Sequence, residues 1–393
     1  MPWKGQTPVD LRLQFMSRLA LGERMTDLCV EFGVSRKTGY KLKQRYDALG
    51  VTGLEDQSRA PKHRPAQTPP ELVALIEAAR RDHPTWGPRK LKVILEEQLR
   101  RPLPSASTFG AILVRAGLCE RRRHRARTRF RATALSAAAA PNDVWCIDYK
   151  GQFRLGDQTY CYPLTVTDQH SRYLLGCDAM AAIDEGQARQ SLELLFRTHG
   201  LPAAMRSDNG APFASVGLRG LSQLSVYWMR LGIRLERIRP AHPQDNGQHE
   251  RMHRTLKQAT TRPARANLLQ QQEVFDAFVA EFNTARPHEA LGMRKPAEVY
   301  HDSPRAYPDP LPEPAYPTHD DVLTVTAAGS ICLTHRKHIY LARALAGQPV
   351  GIREEDDGRW LVSFMDLDLG YAEPTDHFTP LPPGETVSPM SPV

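Results

Sequence analysis

Three acidic residues in the middle of the chain have types and surroundings that suit metal-dependent chemistry. Asp148 lies near the end of the β-rich run "DVWCIDYKGQF". Asp208 opens "DNG" after "MRS", where Asn209 and Gly210 let the chain turn sharply and leave a carboxylate at the C-terminal end of a strand. Glu250 sits in "HPQDNGQHERMHRTLK", alone among Arg251, His253, Arg254 and Lys257 on a helix-like segment that follows a Gly-centred turn. Taken singly, Glu250 needs no more than Arg254 as an i,i+4 surface partner, a pair worth only ~0.3–0.5 kcal/mol. Brought together from three elements, the carboxylates repel unless a cation neutralises them, and oxygen-only ligands point to Mg²⁺ or Mn²⁺. Two such ions ~3.5–4 Å apart activate a water or a 3′-hydroxyl and stabilise the leaving oxygen in phosphoryl transfer. Asp148, Asp208 and Glu250 are therefore expected to be both catalytic and metal-ligating, with two Mg²⁺ (or Mn²⁺) as cofactors.

Other candidates compete for those roles. Asp168 in "TVTDQHSRY" either aims at the site or shapes a turn, and Asp245 is explained by its Asp-Asn-Gly turn. His253 and Lys257 lie three and seven residues beyond Glu250 and share its helical face. With Arg254 they are candidates for contacting nucleic-acid phosphate, the alternative being a plain solvated face. His242 and His249 have no Cys or His partners at zinc spacing and are expected to be structural.

The elements that must hold these acids follow from pattern. "DVWCIDYKGQF", "TYCYPLTVTDQHS" and "RYLLGCDAMA" read as three antiparallel strands. The helix "DEGQARQSLELLFRTHG", the strand ending "MRSDNG", a helix around Leu218 to Leu231 and the strand "IRLERIRP" come next, giving an α/β sheet. In "FNTARPHEALGMRKPAEVY", Phe282 is expected to pack beneath the site helix, and Arg286 and His288 to order the loop with Asn283.

Five segments in order, "WCIDYKG", "TVTDQHSRYLLG", "RSDNGAPF", "HPQDNGQHERMHRTLK" and "FNTARPHEALGMRKPAEVY", resemble the DDE integrase core of insertion-sequence transposases, most closely the IS481 family. The resemblance covers residues 142 to 300 and implies an RNase H-like catalytic core with Asp148, Asp208 and Glu250 as its acidic triad. The 41 residues between Asp208 and Glu250 are more than retroviral integrases carry, and the helix "GLRGLSQLSVYWMRLG" is expected to accommodate them. The His-His-Cys-Cys pattern of retroviral integrases is missing from the N-terminal sequence, so its folding is not expected to need zinc.

The N-terminal third explains what brings the phosphate. Residues 1–131 hold 27 Lys+Arg against 13 Asp+Glu, whereas residues 301–393 hold 6 against 14. "MTDLCVEFGVSRKTGYKLKQRY" has helix-turn-helix spacing, with Thr26 and Ser35 as caps and Gly33 as the break. Its second helix offers Arg36, Lys37, Thr38, Lys41 and Lys43 to DNA. Residues 70–128 read as a second helix-turn-helix unit, with a helix from Glu71 to Arg81, Pro88 in the first turn of the next, Ser105 or Ser107 as a cap and Gly117 as a stop. The run that follows, with Arg121, Arg122, Arg123 and Arg125, is expected to track a phosphate backbone before a linker at 129–141.

The expected architecture is thus multidomain: all-α helix-turn-helix domains at 1–60 and 70–128, the α/β core at 142–300, a small all-β SH3-like barrel at 320–376 and a disordered tail at 377–393. The acidic barrel, reached through a Pro-rich linker, suits protein contacts better than DNA. Six cysteines scattered singly are expected to be reduced and mostly buried. With no long apolar run and no secretory leader, a soluble intracellular protein is expected, and the resemblance implies a cytoplasmic, nucleoid-associated protein of bacterial type. A glycoside hydrolase would have use for two carboxylates, but aromatic residues at 7% and an Arg-rich N-terminus argue against sugar binding. What the resemblance implies is a transposase that binds its element's terminal repeats as a dimer or larger assembly, cuts a strand and joins the 3′-end to target DNA. A DNA-binding regulator derived from such a protein, without catalysis, is the alternative.

Overall fold

The computed structural model describes residues 7–57, 67–120, 135–239, 247–333, 338–355, 358–373 and 377–382, and the chain divides into two units, residues 1–69 and 70–393. In the first unit, α1 (Pro8–Ala20), α2 (Met25–Glu31) and α3 (Arg36–Leu49) pack around Phe15, Met16, Leu28, Cys29, Leu42 and Leu54. Thr7 and Asp10 form a reciprocal capping box on α1, which satisfies amides that the first turn leaves without partners. Ser35 caps α3 by accepting from the Thr38 amide, as the sequence predicts. Thr26 does not cap: α2 starts one residue earlier, from an Arg24 N-cap with no side-chain hydrogen bond, and the Thr26 hydroxyl turns to Asp27. Gly33, at φ +62°, makes the break between α2 and α3.

The second unit begins with α4 (Pro70–Asp82), α5 (Pro88–Leu99) and α6 (Ala106–Arg115), closed around Ile76, Trp86, Leu91, Phe109 and Leu113. Ser105, rather than Ser107, accepts from the Thr108 amide as the cap of α6. The α/β core then runs β1 (Val144–Tyr149), β2 (Phe153–Arg154), β3 (Tyr160–Asp168), β4 (Leu174–Met180), α7 (Glu185–His199), β5 (Ala204–Ser207), α8 (Gln223–Arg230), β6 (Arg234–Arg237), α9 (Gly247–Thr260) and α10 (Leu268–Thr284).

Strand β3 is antiparallel to β1 and β4, while β5 and β6 join β1 in parallel. The short β2 continues β1 along β3: Tyr149 faces Leu164, and after a one-residue shift in register Phe153 faces Cys161. Alternation then sorts the two faces. Trp145, Ile147, Leu164 and Val166 meet Leu192 and Phe196 of α7 and Trp228 of α8. Cys161, Leu174 and Cys177 meet Met252 and Leu256 of α9 and Phe275, Phe278 and Phe282 of α10. The helix carrying Glu250 is thereby pressed on the sheet by its own buried stripe.

The C-terminal part is all β. Strands β7 (Asp321–Thr324), β8 (Ser330–Cys332), β9 (His338–Tyr340), β10 (Pro349–Glu354), β11 (Trp360–Phe364), β12 (Leu367–Ala372) and β13 (Phe378–Pro380) form a five-stranded antiparallel sheet, β13-β12-β11-β10-β7, and a β8-β9 hairpin around one core. That core includes Leu221 and Val226 from around α8, and Arg230 donates to Gln348 at 2.7 Å, so these strands sit against the α/β core. The Pro-rich connection is strapped down as well, with Arg305 donating to the Pro202 carbonyl at 2.6 Å and Leu201 donating to the Arg305 carbonyl at 2.7 Å. The tail expected from 377 begins instead with β13, paired to β12; residues 383–393 and the linker residues 58–66 lie outside the described residues. Four of the six free cysteines are buried, and no helix among the described residues is long and apolar enough to cross a membrane.

Gly39 of α3 lets α2 come close: a Cβ there would stand 2.8 Å from both Cys29 Sγ and Met25 Sδ. Replacing Gly39 with Ala should destabilise this helical unit by ~1–3 kcal/mol, the usual cost of overpacking. Hydrogen exchange of residues 8–54 in the full chain checks it, and unchanged protection would count against the tight α2–α3 approach.

Candidate active site

The parallel register places the first two acids side by side. Val144 pairs with Ala204 and Cys146 with Arg206; carried two residues further, the same offset sets Asp148 beside Asp208 just past the end of β5. Both are partly exposed, and the Asp208 carboxylate folds back to accept from the Gly210 amide at 3.1 Å. Asn209 donates to the Ile238 carbonyl at 2.6 Å, which ties this turn to the segment after β6.

Glu250 arrives on the first turn of α9, exposed beside this edge. Asp148 feels both other acids: burial first, then the carboxylate of Asp208 and, more weakly, that of Glu250 push its pKa up to about 7, against the pull of Lys150. On the far side of Asp208, burial lowers the pKa of Arg237 and the Asp208 charge restores part of it. A chain that keeps Asp148 in the field of two further carboxylates, offset in part by Lys150, is chemically suited to a divalent cation.

Beneath Asp148 lies a buried polar layer. Thr165 and Thr167, two apart on β3, point at His249 and His253, four apart on α9, and all four are at least nine-tenths buried. The Thr165 hydroxyl is 2.7 Å from Nε2 of both imidazoles and 3.1 Å from the Asp148 carbonyl, and Thr167 Oγ1 is 2.9 Å from His249 Nδ1. Counting protons resolves the network. A hydroxyl has one proton to give and two lone pairs to accept with; the Asp148 carbonyl only accepts, so Thr165 donates to it and both imidazoles donate to Thr165 from Nε2. His249 Nδ1 then accepts from Thr167. His253 Nδ1 is left as a bare lone pair, 3.7 Å from Asp148 Oδ2.

Asp148, His249 and His253 are close enough together to hold an ion between them. Both ring nitrogens of His249 are already spent on threonines, so Asp148 and His253 are the members with donor atoms to offer.

The structure corrects one expectation and divides the rest. His253 is buried, with Nε2 committed to Thr165, so it supports the carboxylates from below and does not share the outer face with phosphate-contacting groups. Arg254 and Lys257 are exposed on that outer face with Glu250. Arg36, Lys37, Thr38, Lys41 and Lys43 are all exposed on α3, with Lys43 paired to Asp47 at 2.7 Å. Asp168 shapes its turn: one oxygen accepts from the Asn142 amide at 2.8 Å, the other from the Ser171 amide and hydroxyl at 2.7 and 2.5 Å. Arg121, Arg122, Arg123, Arg125, His242 and Asp245 lie outside the described residues.

The segment after α9 braces the site through Phe282, as expected, whereas Asn283 and Arg286, expected to order the loop with His288, reach β4 and the second helical unit instead. Phe282 packs in one cluster with Met252 and Leu256, and the Asn283 amide clamps both backbone groups of Leu174 at 2.9 Å. The same segment also holds the second helical unit, which the sequence did not reveal: Arg286 donates to Thr85 at 3.1 Å, and Arg89–Glu289 and Lys295–Glu97 pair at 3.0 and 2.9 Å.

The buried imidazoles give a pH signature. Burial pulls His249 and His288 down to about 3 and His253 to about 2 from an ordinary 6.5, so the unfolded chain protonates first and stability is lost as pH falls from ~6.5 toward 3. Asp148, raised to about 7 from 3.8, acts with the opposite sign between those values, as do the raised carboxyls of Asp178 and Glu185 in lesser degree, while the lowered His319 sides with the buried imidazoles. The urea midpoint of metal-free protein should fall between pH 7.5 and 5, and less steeply in His249→Asn; a midpoint that rises on acidification would contradict the neutral buried layer.

The comparisons with known proteins bear on the core and on the helical units. The integrase core domain family matches residues 138–243 and again 231–296, a homeodomain-like family matches 38–113 and a helix-turn-helix family matches 11–62. The chain is 28% identical over 272 residues to the Gag-Pol polyprotein of baboon endogenous virus (strain M7), covering 66% of this chain and only 15% of the polyprotein. It is 26% identical over 241 residues to the 31.7 kDa protein of insertion element IS407 from Burkholderia multivorans, covering 61% of this chain and 82% of that protein. With the 39.2 kDa protein of insertion element IS476 from Xanthomonas euvesicatoria it is 24% identical over 242 residues, 60% and 67% of the two chains. Among solved structures, the intasome of simian T-cell lymphotropic virus aligns over 75% of this chain and 97% of its own, at 17% identity and a TM-score of 0.38. The helix-turn-helix and integrase-core family matches indicate DNA binding, and the chain carries an integrase core domain with helix-turn-helix domains, is homologous to the IS407 and IS476 insertion-element proteins, and is consistent with an insertion-sequence transposase of the DDE superfamily.

Proposed function

We propose that this protein is a DDE transposase of IS481 type that binds the ends of its insertion sequence, cleaves a DNA strand and transfers the 3′-end to target DNA. The observation that carries the proposal is the juxtaposition of Asp148 and Asp208 on neighbouring parallel strands, with Glu250 near enough for its charge to act on Asp148. Asp148, Asp208 and Glu250 would hold two Mg²⁺ or Mn²⁺. Bound there, the ions supply Lewis-acid stabilisation of a phosphoryl centre and activation of an attacking hydroxyl. The chain's own groups do the rest. Arg254 and Lys257, exposed on the turns after Glu250, hold the phosphate backbone against the acids, and the buried threonine–histidine layer keeps Asp148 and α9 in register.

Recognition of the element's ends falls to α3, whose exposed Arg36, Lys37, Thr38, Lys41 and Lys43 suit base edges and phosphates. The arginine run of Arg121, Arg122, Arg123 and Arg125 adds backbone contacts. Two ends must be handled together, so the working form is a homodimer or a larger assembly on DNA.

In a strand-transfer assay with labelled element-end DNA and Mn²⁺, Glu250→Gln should lose at least about a hundredfold in rate, because several kcal/mol of charge stabilisation correspond to two or more powers of ten. End binding should persist. Equal rates in both proteins would remove Glu250 from the site, and binding without chemistry in either would favour a regulator. Replacing Arg36 and Lys41 with Ala should weaken end binding and reduce the salt dependence of log K by roughly one for each phosphate no longer neutralised; an unchanged slope would move recognition away from α3.

A further inference from the structure

We propose that His253 is a nitrogen ligand of the metal site, binding a divalent transition-metal ion through Nδ1 beside Asp148 and biasing the site toward Mn²⁺ over Mg²⁺. This rests on the carboxylate site put forward above and adds a donor of a different kind to it.

The protons of the buried layer decide which nitrogen is available. Thr165 fixes His253 as the Nε2–H tautomer, because its single proton goes to the Asp148 carbonyl and its lone pairs receive the two imidazoles. Nδ1 therefore carries an unshared pair, on a ring that is 5% exposed and aimed at Asp148 Oδ2, 3.7 Å away. Two acceptors that face each other, one on a buried ring and one on a partly exposed carboxylate, favour a proton, a water or a cation between them. At 3.7 Å the gap exceeds the ~2.5–3.2 Å of a hydrogen bond. It falls in the range spanned by two donors that are each ~2.0–2.2 Å from one ion.

His249 cannot substitute, with both nitrogens held by Thr165 and Thr167. The rigid seat of His253 also resembles the way metal-bound imidazoles are oriented, through a hydrogen bond from the nitrogen that does not ligate. An oxygen-only site suits Mg²⁺ and Mn²⁺ alike, whereas an imidazole donor shifts preference toward the transition metals.

The test is pulsed electron paramagnetic resonance on the full chain loaded with Mn²⁺ alone. ¹⁴N modulation from a directly bound imidazole should appear in the wild type, persist in His249→Asn and vanish in His253→Asn. Titration calorimetry with Mn²⁺ and with Mg²⁺ should show the Mn²⁺ preference falling about 10-fold or more in His253→Asn, a loss that can follow even from removing a residue hydrogen-bonded to a ligand. Mn²⁺ bound without ¹⁴N modulation in the wild type overturns the ligand assignment and leaves the carboxylate site standing, with no dependence on whether a variant folds. Modulation that survives in His253→Asn overturns it equally, while a wild type that binds no Mn²⁺ overturns both the ligand and the site it rests on.

Discussion

Like charges at one sheet edge are the constraint around which the core is arranged. The parallel register of β1 and β5 sets the backbones of Asp148 and Asp208 side by side, and the charge of Asp208 raises the pKa of Asp148. Repulsion of this kind costs stability unless it serves a ligand, and the rest of the core holds the carboxylates in place. Thr165 and Thr167 carry α9 on two imidazoles, and Phe282 and Asn283 fix α10 behind it. The polar layer is fully paired apart from the one lone pair facing the acids, which is the condition for a buried network to specify one arrangement.

Much of this was legible in the residues. Asp208 announced itself through the Asn-Gly turn, and the switch from helical to alternating patterning near Asp143 marked where the sheet begins. Ser35 and Gly117 act as cap and stop because local backbone chemistry alone decides those positions. Phe282 could be assigned to the site helix because an aromatic residue on an apolar helical stripe has few other places to go.

What was hidden depends on contacts between distant segments. His253 was grouped with Lys257 by helical spacing, but the width of the buried stripe on α9 is set by the sheet it meets, and only Thr165, 88 residues away, decides which side of the boundary the ring falls on. The alternation in "TVTD" was the available signal: two threonines on one strand face ask for polar partners opposite. Asp168 could not be separated from the metal candidates by type, because what occupies it is the Asn142 amide and the Ser171 turn. Thr26 failed as a cap because the helix starts one residue before it, at a boundary that propensity fixes poorly.

The bracket from Glu281 to Lys295 joins the second helical unit to the core through ion pairs and a hydrogen bond along α5 and the loop before it. A joint of that kind works as a ruler. If α4–α6 grip one stretch of duplex, the distance from that stretch to the phosphodiester presented at Asp148 is written into the protein and not into the DNA. On the proposed function, the position of the cut would then be measured in ångströms along the core, where a flexible linker would leave it to chance.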